Sequence, residues 1–232
     1  MNKYVIMIIL SLIPGKSVFA QIDPFGPKQK SGEPQLLPNN KLGLGSNVKI
    51  DSADNLPPQI KEFALKKVVE MQTKGYMDAS DEEVTSRGNY KKRLQPLPAL
   101  QSRINFKLAS VDMSSFSNMV LDGIMPEGPT SSGPWTSVSR IYSLPSGTII
   151  RLFEWDYVAD KGSINFQKEM LSETINGQYR AVLSVKKSAK GNSLTSLTWA
   201  TEQKYFNLSI SGHVKNDKRY NQFIAFANSI KN

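Results

Sequence analysis

The stretch RLFEWDYVADKG, residues 151–162, decides how the second half of this chain is read. Strand alternation sends Ile149, Arg151, Phe153, Trp155 and Tyr157 to one side and Ile150, Leu152, Glu154, Asp156 and Val158 to the other. Both sets are substantially apolar, which predicts a central strand covered on both faces. Asp160-Lys161-Gly162 then closes it as a turn, because Asp favours turns and Gly accepts a positive φ.

Working outward, the same alternation recurs in short runs divided by turn residues. Residues 137–142 and 148–158 flank Pro145-Ser146-Gly147, and the second of these strands with residues 164–171 flanks the Asp160 turn. Asn176-Gly177 is a strong two-residue hairpin signal before residues 178–187. Lys190-Gly191-Asn192 precedes 194–201, and Glu202-Gln203-Lys204 precedes 205–212. Trp199, within LTSLTWAT, is expected in the core. Upstream, Ile104, Phe106 and Leu108 alternate with polar neighbours, which predicts a further strand; residues 113–125 favour neither helix nor strand.

Helices bracket these strands. Pro58 suits a first helical position, Ile60, Phe63, Ala64, Val68 and Met71 share one face, and Gly75 ends the run. Ser80-Asp81-Glu82-Glu83 has capping-box form and opens a second helix that Gly88 interrupts. At the far end, Asn216 or Asp217 can cap a helix whose stripe is Tyr220, Phe223, Ile224, Ala227 and Ile230. The fold class that follows is α+β: a twisted antiparallel β-meander sheet packed against a C-terminal amphipathic helix, with N-terminal helical segments. The boundaries are 1–20 signal peptide, 21–57 flexible tail or linker, 58–98 helical segment, and 99–232 sheet domain with its C-terminal helix.

The first twenty residues carry the pattern of an export signal. Lys3 supplies a positive start, YVIMIILSL is an apolar run, Pro14-Gly15 breaks it, and Val18-Phe19-Ala20 offers small residues at a cleavage site. That run falls well short of the roughly 20 residues needed to span a bilayer. No later segment is apolar enough to cross, so no transmembrane segment is expected after cleavage. Residues 21–57 hold Pro24, Pro27, Pro34, Pro38 and Pro57 among four glycines, with Pro58 next, a composition that buries too little to offset its ordering entropy. The chain has no cysteine, which removes lipid anchoring through a thiol and argues for a bacterial envelope protein rather than a disulfide-built secreted domain. Localisation is expected to be periplasmic or secreted. The formal charge of +9 falls to +7 without Lys3 and Lys16, leaving 27 basic residues against 20 acidic. The basic residues are scattered, so charge reads as solubility, and no nucleic-acid partner is expected.

Absent residue types narrow the chemistry further. A Cys nucleophile is impossible, and His213, the single histidine, excludes sites needing two His ligands. No nucleophile elbow accompanies it, and no glycine loop has phosphate-binding spacing. No cofactor or metal is implied. Candidate catalytic residues reduce to Glu154 and Asp156, which share a strand face about 6.6 Å apart at about 3.3 Å per residue. That is near the separation of roughly 6.5–9.5 Å used by inverting glycosidases. A carboxylate on an apolar face needs a partner, and Lys168 or Arg180 is the expected one. A calcium loop is not supported, because Asp156 and Asp160 supply too few ligands. Trp135, after the Pro/Gly/Ser loop of residues 126–134, is a candidate partner contact; the competing role is capping the core.

By elimination the sequence reads as an exported envelope protein that acts by binding a protein partner, as an accessory or adaptor to an envelope or secretion assembly. The alternatives are a periplasmic immunity protein against a secreted toxin, and a carboxylate-based glycan hydrolase using Glu154 and Asp156.

Overall fold

Two three-stranded meanders build the main sheet and meet through their last strands. The computed structural model describes residues 47–128, 133–215 and 217–232, with backbone alone for 86–89. The expected signal peptide and residues 21–46 of the expected tail lie outside the described residues, as do Asn216 and part of the loop before Trp135. The first meander is β3 (Val120–Glu127), β4 (Ser137–Ser143) and β5 (Ile149–Asp156); the second is β8 (Tyr179–Ser188), β9 (Ser193–Ala200) and β10 (Lys204–Ser211). β5 and β10 run antiparallel, with Leu152 opposite Leu208, so the order is β8-β9-β10-β5-β4-β3. The outer edge of β8 is shared by two short strands: β7 (Glu173–Ile175) pairs antiparallel and β2 (Met77–Ala79) parallel. The result is a mixed α+β fold around an eight-stranded, mostly antiparallel sheet.

Local chemistry explains these elements. Asn176 and Gly177 both take positive φ, 54° and 65°, and Gln178 N–H donates to Ile175 O at 3.0 Å, the pattern of a type I′ turn. The helix α1 (Pro58–Lys74) starts on proline and stops at Gly75, whose φ of 75° lets its N–H return to Met71 O. The capping box forms in full: Glu83 N–H donates to Ser80 Oγ at 3.2 Å and Ser80 N–H to Glu83 Oε2 at 2.9 Å, opening α2 (Asp81–Thr85). Glu83 also pairs with Lys186 at 2.9 Å, and Asp81 accepts from Ser188, Lys190 and Asn192. This short helix is thereby docked on the β8–β9 hairpin.

Both faces of the sheet are covered. On one, α4 (Arg219–Ser229) buries Phe223, Phe226 and Ala227 against Tyr142, Leu152 and Leu208. Asp217, rather than a residue of the helix itself, accepts from Arg219 N–H at 2.9 Å. Phe226, which the expected stripe omitted, meets Tyr142 and Phe116 edge-on at 5.8 and 6.0 Å. Trp199 is in the core as expected, stacked on Phe206 at 5.0 Å. Each such aromatic or leucine contributes roughly 1.5–3 kcal/mol through burial.

The opposite face departs from expectation. β6 (Ile164–Gln167) does not return beside β5 as a hairpin across the Asp160 turn. It leaves the sheet and pairs in parallel with β1 (Val48–Asp51), matching Val48 to Ile164 and Ile50 to Phe166. The reason is apolar cover: Val48, Ile164 and Phe166 bury against Trp155, Tyr157 and Tyr205 on that face. Residues 47–57, read from composition as the end of a flexible tail, are therefore part of the packed body. Lys161, not Gly162, holds the positive φ (54°) of the Asp160 turn. Gly162 is required for space instead, since a Cβ there would stand 3.0 Å from the Trp155 ring.

The expected strand at residues 104–108 is also absent as a ladder. The alternation of burial holds, with Ile104, Phe106 and Leu108 half-buried, but the segment makes only isolated bridges at Ile104–Trp135 and Ser110–Lys231. It reaches the α4 side of the sheet by crossing the β3 edge, where Gln95 and Ile124 exchange two backbone bonds at 2.9 Å, and α3 (Leu97–Leu100) follows. Gly123 lies at that crossing; a Cβ on it would be 3.1 Å from Gln95 O.

Candidate functional site: a buried charge cluster

The two carboxylates singled out in sequence project from β5 to the α4 side of the sheet, and both are buried: Glu154 is 0 % exposed and Asp156 3 %. β4 and β10, the two neighbours of β5, decide their partners. Val138 and Phe206 stand opposite Glu154, so the diagonal positions on its face are Arg140 and, one pair along, Lys204. Arg140 Nη2 approaches Glu154 Oε1 to 2.8 Å, and Lys204 Nζ lies 3.7 Å from Glu154 Oε2. Oε2 also accepts from Ala109 N–H at 2.9 Å. The Arg140 contact is close but off-axis, an electrostatic pairing more than an aligned hydrogen bond.

These partners correct the expectation of Lys168 or Arg180. Lys168 belongs to a short 3-10 turn after β6 and Arg180 to β8, which β9 and β10 separate from β5. Arg140 was legible as the one charged residue in SVSRIYS at a position in step with Val138 and Tyr142. Lys204 was hidden because Glu202-Gln203-Lys204 reads as turn, whereas Lys204 begins β10.

Asp156 has a separate set of ligands. Its Oδ1 accepts from Ala159 N–H at 2.9 Å and its Oδ2 from Gln203 Nε2 at 2.8 Å, so it ties the turn after β5 to the β9–β10 hairpin turn. Lys204 donates to the carbonyl of Lys107 and lies 5.3 Å from the Phe106 ring centre. Burial pushes the Lys204 ammonium below the ordinary lysine range, and the carboxylates of Glu154 and Asp156 pull it back up. Tyr142, beside Arg140, is raised by burial, with the guanidinium opposing.

Glycosidase chemistry asks for one carboxyl that meets a water and another that meets the substrate oxygen. Here both Glu154 oxygens face cations or a backbone N–H, and both Asp156 oxygens receive hydrogen bonds within the protein. What the arrangement does chemically is hold three strands and one crossing segment in register.

Trp135 is corrected from a candidate contact to a core residue. It is 3 % exposed, buried with Leu100, Ile124 and Val138, and the Arg103 guanidinium covers its ring at 4.3 Å. Asp160 holds the other end of this region, accepting from Trp155 Nε1 at 2.6 Å and Thr136 Oγ1 at 2.7 Å. A second polar group sits on the opposite face, where Glu127 Oε1 accepts from Arg151 Nη2 at 2.7 Å and Ser139 Oγ at 2.8 Å. His213 follows β10, its pKa lowered first by burial and then by Lys187 and Lys215. Among the described residues no group of three or more His, Cys, Asp or Glu side chains could hold a metal ion, and no helix is long and apolar enough to cross a membrane. Comparison with models of known families, with curated proteins and with solved structures returned no match.

Proposed function

We propose that this chain is an exported protein of the bacterial cell envelope that acts by binding a protein partner, as an accessory or adaptor to an envelope or secretion assembly. The observation that carries the reading is the commitment of Glu154 and Asp156. These are the residues on which a hydrolase would depend, and each oxygen already has a partner within the protein. Export rests on the positive start, short apolar run and Val18-Phe19-Ala20 site of the first twenty residues. The proline- and glycine-rich segment after it gives reach, and the sheet domain offers the docking body.

The test combines processing with capture. The tagged chain is expressed in a Gram-negative host, fractionated, and its N-terminus determined; processing between Ala20 and Gln21 with recovery in the periplasmic or external fraction is expected. Cross-linking in intact cells should then yield a discrete protein adduct. An unprocessed cytoplasmic chain would overturn the export half, and absence of any adduct from both full-length and tail-deleted protein would overturn the binding half. An adduct with a secreted toxin would select the immunity role within the same binding class.

A further inference from the structure

Residues 103–112 cross the α4 side of the sheet without joining it. Backbone pairs pin the two ends. Asn105 N–H donates to Trp135 O and Trp135 N–H to Arg103 O, both at 2.8 Å, while Ser110 and Lys231 exchange bonds of 2.8 and 3.0 Å. Between the pins, sheet side chains rather than a ladder tie the backbone down. Glu154 accepts from Ala109 N–H at 2.9 Å, and Lys204 donates to Lys107 O.

We propose that residues 104–110 form a strap that opens as a unit ahead of the sheet, with Arg140, Glu154 and Lys204 as its latch.

Two opposing terms set the stability of the closed strap. Closing the strap keeps three charged side chains dry, at 8, 0 and 3 % exposure. Two cations face one carboxylate at contact distance, and Lys204 is held by a backbone carbonyl rather than by a carboxylate of its own. Buried ion groups of this kind repay their desolvation only partly. Opening therefore returns hydration to all three, which offsets part of the cost of exposing Phe106, Leu108 and Ala109. The sheet beneath has no such compensation, because its ladder bonds and its apolar contacts with α4 are lost only on global unfolding.

Amide hydrogen exchange on the isotopically labelled full chain, read residue by residue, tests it. The Ala109 N–H bonds directly to the latch and is the reporter. It is expected to exchange about a hundredfold faster than the ladder amides of β5 and β10, with a much shallower dependence on urea, as local opening requires. Lys204→Met removes the donor to Lys107 O while leaving Glu154 paired with Arg140. It should speed Ala109 exchange by about tenfold more than it changes β5 exchange. Two results would overturn the proposal: Ala109 exchanging at the rate and urea slope of β5 in the unaltered chain, or Lys204→Met changing Ala109 and β5 by the same factor or leaving Ala109 unchanged.

Discussion

Replacing Glu154 by glutamine separates a structural carboxylate from a catalytic one. The substitution keeps the shape and an acceptor for Ala109 N–H, now 2.9 Å from Oε2, and removes only the charge. Arg140, at 2.8 Å, then remains buried with no counter-charge in contact, and Lys204, at 3.7 Å, keeps only the pull of Asp156 across the strand pair. Removing one partner of a buried pair costs about 3–5 kcal/mol. For a chain of this length each kcal/mol lowers Tm by roughly 2–4 °C, so a fall of about 6–20 °C is expected. Thermal unfolding followed by far-ultraviolet circular dichroism, with urea unfolding as a second measure, reads it directly. The triple change Arg140→Met, Glu154→Met, Lys204→Met should recover most of the loss, because apolar replacement of a whole buried ion group is often neutral or better. A Glu154→Gln Tm within about 2 °C of the parent would refute the reasoning, and loss of a hydrolytic activity at unchanged stability would restore Glu154 as a catalyst.

Other consequences follow from the same packing. Gly162→Ala forces a Cβ to 3.0 Å from the Trp155 ring and 3.2 Å from Tyr157 O, and should cost about 1–3 kcal/mol in urea unfolding. Trp135→Ala opens the Leu100–Ile124–Val138 cluster and should lose about 3–5 kcal/mol, whereas an exposed contact residue would leave the fold intact. Alkaline pH should unfold the protein: burial pushes Tyr205 up to about 12, with the Thr198 bond opposing, and raises Tyr142, Tyr157 and Tyr220 as well. The unfolded chain's tyrosines ionise near 10, so stability is complete below that pH and is lost as pH rises through the folded values, with Lys204 acting in the opposite sense. Urea midpoints at neutral pH and at about pH 11 check this sign.

How much of this was legible in sequence depended on the range of the forces involved. Pro58, Gly75, the Ser80–Glu83 box and Asn176-Gly177 act within a few residues, and each produced the element expected of it. The pairing of β6 is not legible in sequence, because alternation in Ile164 and Phe166 shows that a face is buried and not what pairs with its backbone. Its partner lies over a hundred residues earlier, in Val48 and Ile50, where proline-rich neighbours masked a three-residue alternation. The segment around Phe106 had strand periodicity without a ladder for a related reason: apolar cover selects the pattern and backbone pairing does not follow from it. Glu154 and Asp156 were correctly assigned to one face, yet their partners came from Arg140, Lys204 and Gln203, whose proximity exists only once β4, β5 and β10 are in register.

The central claim is that this chain works through a bound partner rather than through an acidic active site. Its most direct test is cross-linking in intact cells that export the protein, comparing the full chain with one lacking residues 21–46. A discrete adduct with one envelope or secreted protein, retained by Glu154→Gln protein that is still folded at the growth temperature, is the predicted result. Recovery of the uncross-linked chain alone from both forms would contradict it.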